Sequence, residues 1–155
     1  MEKYELIAKC GTLVEFVTKL DIYEEQVWLT ALGSDKWSIK EVIGHLIRWD
    51  KYFYDTTIEP IVTNNPITMS EADDVIAFNT AAAAWALSQT EADLIGALTK
   101  SRKAITDALQ TVPEEDYSKL HTDAEGNTFT LEQFIQDIIS HDQHHTTQIV
   151  QAIER

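Results

Sequence analysis

Residues 37–46, WSIKEVIGHL, contain the clearest helix start in the sequence. Ser38 followed by Glu41 matches a capping box, in which each side chain bonds a backbone N–H left open at a helix start. The pattern therefore predicts a helix from Ile39 to about Thr57. Apolar residues recur along it at helical spacing, which predicts one buried face. That face consists of Ile39, Val42, Ile43, Leu46, Trp49 and Phe53.

Helices are also predicted at both ends of the chain. The spacing of apolar residues predicts a single helix over residues 2–31, with Gly33 as its stop, because glycine readily takes the left-handed conformation there. Near the other end, Thr130 and Gln133 form a second possible capping box. It opens a last helix that is expected to reach about Ala152.

The middle of the chain is predicted to hold a third helical region in two pieces, 71–88 and 91–111. Ser70 is expected to cap the first piece, with Asp73 and Asp74 in its first turn, where the helix dipole favours negative charge. A fresh N-cap pattern, TEAD, begins the second piece at residue 90. The two pieces together count as one of the four main helices of the fold.

Short irregular elements complete the chain. Residues 114–116 after a proline predict one helical turn, and residues 121–128 predict a polar loop or tight turn. No strand-like alternation persists for more than a few residues. The sequence therefore predicts an all-α fold, a four-helix bundle in a single domain over residues 1–155.

Composition narrows the class of protein. The 155 residues include 12 Lys and Arg against 26 Asp and Glu, so 12 − 26 gives a net charge of −14. Such a charge repels phosphate backbones, so we expect no nucleic acid partner. No apolar run approaches the roughly 20 residues that span a bilayer, so we expect no membrane partner either. A lone cysteine, Cys10, and an N-terminus without a signal-peptide pattern predict a cytoplasmic protein.

Three of the five histidines are candidates for a metal site. His145 lies about 40° around the helix from His141, and both share a face with the apolar stripe of the last helix. Such a pair can offer two imidazoles to one ion, and His45 on the second helix is the candidate third ligand. The alternative to a metal site is that the three histidines are polar core residues that form hydrogen bonds with the backbone or with water. His144, at the edge of the stripe, and His121, expected to be solvated, are weaker candidates.

Other constellations are less informative. Residues 141–145 fit H-D-x-x-H, a variant of the metalloprotease motif H-E-x-x-H, but the downstream third ligand of those proteases is missing. Trp49 could line a pocket near His45. Helical spacing also places several groups near the histidines as candidates for support or proton transfer, each more often structural. They are Asp50, Tyr52, Asp142 and His144.

Two segments carry a family resemblance. Residues 37–46 resemble the W-s-x-x-E-x-x-x-H-L segment of the DinB/YfiT-like superfamily, and residues 141–149, HDQHHTTQI, are similar to its H-x-x-x-H-x-x-Q-I segment. Residues 77–79, AFN, match a further frequent feature. The resemblance spans nearly the whole chain in order and spacing.

The resemblance implies a four-helix bundle that holds a divalent metal, zinc or nickel, between His45, His141 and His145. It also implies a metal-dependent hydrolase or a thiol-dependent S-transferase with a small-molecule substrate, and a homodimer. The alternative is a bundle that binds a metal or small ligand without turnover in a stress response. Because ligation requires neutral imidazole, we expect release of the metal below about pH 6.

Overall fold

The structure, a computed structural model, describes residues 1–70 and 74–155. Its α-helices are α1 (Lys3–Thr18), α2 (Glu25–Trp28), α3 (Ile39–Phe53), α4 (Glu59–Thr63), α5 (Val75–Leu87), α6 (Glu91–Thr111) and α7 (Leu131–Glu154). Two 3₁₀ turns (Lys19–Ile22 and Glu114–Ser118), a π-helical turn (Tyr54–Ile58) and the strands β1 (Leu120–Thr122) and β2 (Thr128–Thr130) complete the elements.

Four of these helices form the bundle that the sequence predicts. Helix α1 packs against α6 and α7, and α3 packs against the same two helices from the other side. Helix α5 lies outside this ring and packs on α3. The all-α, four-helix prediction is therefore confirmed, with α5 and α6 as the two pieces of the third region.

Side-chain caps fix where the site-bearing helices begin. The Ser38 hydroxyl accepts from the Glu41 backbone N–H, and the Glu41 carboxylate accepts from the Ser38 backbone N–H, so the predicted capping box is present. The Thr90 hydroxyl caps α6 by accepting from the Asp93 N–H. The Thr130 hydroxyl caps α7 in the same way.

The prediction of one helix over residues 2–31 is wrong. Helix α1 ends at Thr18, tightens into a 3₁₀ turn, and leaves helical conformation at Tyr23. The break lets Trp28 fold back into the core, where its indole N–H donates to the carbonyl of Leu20 at 3.2 Å. Gly33 is not the helix stop, since α2 already ends at Trp28.

The start of α5 also differs from the prediction. Its N-cap is Asp74, whose carboxylate accepts from the Ala77 backbone N–H, and not Ser70. The Ser70 hydroxyl instead donates to the Glu125 carboxylate, which ties the preceding segment to the loop between the strands. The predicted first-turn residue Asp73 lies outside the described residues.

A small hairpin replaces part of the predicted loop at residues 121–128. Strands β1 and β2 pair antiparallel, with His121 opposite Phe129, and residues 123–127 form the turn. The prediction of no strand missed this element because each strand has only three residues, too few to show an alternation. His121 is half-buried against the Phe129 ring, so its expected solvation is wrong.

None of the helices that the structure describes combines the length and the apolar character that a membrane crossing requires.

Gly44 allows the close contact between α3 and α5. A Cβ atom at this position would lie 2.3 Å from the Ala86 Cβ and 3.1 Å from the Ala82 carbonyl oxygen. We predict that Gly44→Ala lowers the free energy of unfolding by about 1–3 kcal/mol, because the helices must separate. Gly96→Ala is the matched control, since a Cβ at this helical position meets nothing within 4 Å. Urea denaturation measures both, and equal stability of the two variants would contradict the packing argument.

Candidate metal centre

His45 lies on α3 and is nearly sealed from solvent. It is 6% exposed, and its ring is fixed between Trp37, at 5.2 Å between ring centroids, and Trp49, at 6.4 Å. Neither ring nitrogen of His45 has a hydrogen-bond partner among the described residues. Burying an imidazole without a hydrogen-bond partner costs about 1–3 kcal/mol. The two unbonded nitrogens of His45 therefore indicate that the site binds a ligand.

His141 and His145 lie one turn apart on α7 and face each other. Their Nε2 atoms are 3.0 Å apart. Two nitrogens bound to one zinc ion at ~2.0–2.1 Å and a tetrahedral angle lie about 3.3 Å apart, so the separation fits a shared ion after a small adjustment. The amide oxygen of Gln148 lies 3.1 Å from Nδ1 of His145. This oxygen accepts a hydrogen bond from the Nδ1–H, which leaves a lone pair on Nε2 of His145. In this structure that lone pair accepts from the Nε2–H of His141, the position that a shared ion would take.

The three histidines meet in space. Their rings pack at centroid distances of 5.4 Å for His45 to His141 and 5.2 Å for His45 to His145. One nitrogen of each lies within 4.8 Å of the others, as binding to a common ion requires. The structure thus brings together all three candidates from the sequence, and it leaves His121 on the hairpin.

Desolvation favours the neutral form of these imidazoles, most clearly at His45, which is buried, while His145 is half-buried and His141 is exposed. Desolvation lowers the pKa of His45 to about 4, with further lowering by His145 and His141. Desolvation and then His141 lower the pKa of His145 to about 4. The pKa of His141 is also lowered, by desolvation and then by His144 and Arg102. Lone pairs are therefore available at pH values where ordinary histidines are charged, and metal release is expected at lower pH than the sequence alone suggested.

A buried arginine that the sequence analysis missed lies beside the histidines. Arg102 on α6 is 1% exposed and pairs with Asp50 of α3 and Asp142 of α7. Its Nε and Nη2 donate to the two oxygens of Asp50 at 3.0 and 2.9 Å, and Nη1 and Nη2 donate to those of Asp142 at 2.6 and 3.1 Å. Nη1 also donates to the Cys10 carbonyl of α1 at 2.8 Å. All five N–H groups of Arg102 are thereby used.

The sequence did contain a sign of this arginine. The buried residues of α6 recur at 94, 98, 105 and 109, and position 102 falls in the same helical stripe. A charge at a core position requires a buried partner of opposite charge. Burial alone lowers the pKa of Arg102, but the carboxylates of Asp50 and Asp142 outweigh it and raise that pKa well above the usual value.

The candidate support residues from the sequence take structural roles. Asp50 and Asp142 are both bound to Arg102, so Asp142 is no general base of a protease-like H-D-x-x-H motif. The Tyr52 hydroxyl donates to the Ser70 carbonyl at 3.1 Å. His144 is exposed, with its ring 5.1 Å from that of His145.

A cavity of about 630 Å³ opens beside His45 and His141. Trp49 forms part of its wall, as the sequence suggested, and the Trp49 indole N–H donates to Asn79 Oδ1 at 2.7 Å. The α7 side of the cavity continues through Ile138 and Phe134 to the hairpin. A volume of this size is typical of small-molecule sites.

The family model of the DinB superfamily matches residues 12–149. The chain belongs to the DinB superfamily. This match confirms the resemblance carried by residues 37–46 and 141–149. No curated protein matches the sequence at a significant level.

A solved structure shows the same fold. YfiT from Bacillus subtilis, described as "a probable metal-dependent hydrolase with an unusual four-helix bundle topology", superposes with a TM-score of 0.76. The match covers 97% of this chain and 85% of YfiT at 15% sequence identity. This DinB-family chain therefore shares the bundle with YfiT.

Protonation of His45 should destabilise the metal-free protein. Its folded pKa of about 4 lies below the usual histidine value of 6.5, so the unfolded state binds more protons between these values. Stability is then complete above about pH 6.5 and falls as the pH drops towards 4. We predict a loss of about 2 kcal/mol between pH 7 and pH 5 from His45 alone. Urea denaturation with a chelator present measures it, and His45→Gln should show a shallower loss. Equal pH dependence in both proteins would contradict the buried neutral imidazole.

Removal of Arg102 should destabilise the bundle strongly. Arg102→Met leaves two carboxylates buried without a partner, and we predict a loss of about 3–5 kcal/mol in the free energy of unfolding. Lys103→Met on the same helix is the control, because among the described residues the ion-pair partner of Lys103 is the exposed Asp107. We expect that change to stay within about 0.5 kcal/mol in the same urea measurement. Similar losses in the two variants would contradict the role assigned to the arginine.

Proposed function

We propose that this chain is a metal-dependent hydrolase whose divalent ion is held by His45, His141 and His145. The observation that carries the proposal is the buried imidazole of His45, which has no hydrogen-bond partner among the described residues and faces two further imidazoles beside an open cavity. The likeness to YfiT agrees with it. Three neutral nitrogen ligands suit zinc or nickel.

The protein residues orient the site. Gln148 fixes the tautomer of His145, and the rings of Trp37 and Trp49 hold His45. A divalent ion in such a site acts as a Lewis acid and lowers the pKa of bound water to roughly 7 in favourable zinc sites. The remaining lining residues bind and position the substrate.

Asn79 is a candidate donor to that substrate. An indole N–H only donates, so the hydrogen bond from Trp49 identifies the oxygen side of the Asn79 amide. The amide N–H groups then point away from Trp49. Asn79 lines the cavity and lies close enough to His45 to raise its pKa slightly against the larger effect of burial. An amide N–H in this place can bind the carbonyl oxygen of a substrate.

Several finer features belong to the same proposal. We propose a single domain over residues 1–155, a small-molecule substrate, and a homodimer in the cytoplasm. The runner-up functions are thiol S-transfer at the same centre and ligand binding without turnover. S-transfer requires a thiol and an electrophile as substrates, and ligand binding without turnover releases no product.

Metal content tests the site directly. We predict about one zinc or nickel ion per chain in the untagged protein, measured by elemental mass spectrometry. His45→Ala and His145→Ala should each lose most of it, because two imidazoles form a weak site. His121→Ala on the hairpin is the control and should keep the ion. A protein that binds no metal even after addition of zinc or nickel would overturn the proposal.

Activity then separates the functions. A panel of esters and amides should show turnover that requires the metal and that is lost in His145→Ala with the helical circular dichroism unchanged. Turnover only with a thiol and an electrophile would identify S-transfer. Tight ligand binding with no turnover would identify the binding protein.

A further inference from the structure

The cavity beside the histidines has an aromatic wall. Centroid distances of 5.4 Å for Trp49 to Phe53, 5.3 Å for Phe53 to Phe134 and 5.8 Å for Phe134 to Phe129 show that the rings form one continuous surface. All four line the cavity. Such a surface binds the apolar body of a ligand, and ring faces also attract cations.

The charged side chains of the cavity are unbalanced. Arg102 is the cation of the lining apart from the histidines, and each of its N–H groups is already bonded to Asp50, Asp142 or Cys10. Arg102, Asp50 and Asp142 together carry a formal charge of −1. Among the described lining residues, no lysine or arginine therefore remains to bind an anionic ligand.

Two further carboxylates line the cavity, and they differ in their surroundings. The oxygens of Asp123 accept from the backbone N–H groups of Glu125 and Asn127 and from the Asn127 side chain, so Asp123 holds the hairpin turn. Asp137 lies on α7 one turn before His141, and its side chain is exposed to solvent where it joins the cavity lining. Within residues 1–70 and 74–155, no hydrogen bond or ion pair engages the Asp137 carboxylate.

We propose that the cavity takes substrates with an apolar body and a cationic ammonium group, which Asp137 recognises. This inference rests on the proposed function, since it names the substrate class of the same site. The aromatic wall holds the body, and the carboxylate of Asp137 holds the cation one helical turn from His141. Apart from the proposed metal ion itself, a substrate that carries a carboxylate or phosphate meets Asp137 and, among the described lining residues, no available lysine or arginine.

Binding of three phenols of similar shape tests the inference. The probes are 4-(trimethylammonio)phenol, its neutral carbon isostere 4-tert-butylphenol, and the anion 4-hydroxybenzenesulfonate. A quaternary ammonium group cannot ligate a metal, and in the metal-free protein the phenol oxygen has no ion to bind, so that form reports on the cavity alone. Isothermal calorimetry at low ionic strength is done with the zinc-loaded and the metal-free protein. We expect the cation to bind about five-fold more tightly than the isostere, and the anion more weakly than both.

Matched variants assign that preference to one residue. Asp137→Asn should bring the cation and the isostere to within about two-fold of each other. Asp107→Asn removes the same charge from an exposed site on α6 and should leave the preference unchanged. Equal binding of cation and isostere in the unaltered protein, an equal effect of both variants, or no binding of any probe would overturn the inference.

The two proposals fail in different ways. Absence of metal overturns the hydrolase and leaves the probe measurements on the metal-free protein to stand alone. Bound metal without a preference for the cation overturns the substrate class and leaves the metal centre intact.

Discussion

The pairing of Arg102 with Asp50 and Asp142 is the interaction on which the arrangement of the bundle depends. It joins one residue each from α3, α6 and α7 and a backbone carbonyl of α1 through a single guanidinium. A shift of any one helix by one residue moves its group by about 1.5 Å along the axis, which is enough to break a bidentate hydrogen bond. The buried charges therefore specify the register of the four helices.

The pairing of Arg102 with Asp50 and Asp142 also determines where the histidines lie. One hydrophobic cluster lies on each side of it, with Leu98 in one cluster and Ile105 in the other, three or four residues from Arg102 along α6. His141 and His145 flank Asp142 on α7, and His45 lies five residues before Asp50 on α3. Since the arginine aligns Asp50 with Asp142, it also brings the three imidazoles to one level.

How much of this could be read from sequence depends on how local each determinant is. The Ser38 and Thr130 caps involve residues three apart, so the starts of α3 and α7 were predictable. The three histidines were also predictable as candidates, because two share one helix and a family segment marks the third. The break after Thr18 was not predictable, because the spacing of apolar residues fits an unbroken helix equally well. The hydrogen bond from Trp28 to the Leu20 carbonyl, which holds the broken form, cannot be read from that spacing.

Features that depend on contacts between residues far apart in the sequence could not be predicted either. Arg102 is recognisable only as a charge in an apolar stripe, and its partners lie 52 and 40 residues away in the chain. The hairpin depends on pairing between strands too short to show a period. Asp137 becomes informative only once the structure shows that it shares a cavity lining with Trp49 and Phe53, which are distant from it in sequence.

The neutral state of the histidines has a consequence for metal binding. An ordinary histidine with a pKa near 6.5 is partly protonated at neutral pH, and a metal must displace that proton. Burial has lowered the pKa of His45 and His145 to about 4, so at pH 7 neither carries a proton for the metal to displace. The bundle has already desolvated these side chains on folding. An ion bound as proposed would therefore meet a formed, neutral set of ligands, and the free energy of its coordination would offset the penalty of leaving His45 without a hydrogen-bond partner among the described residues.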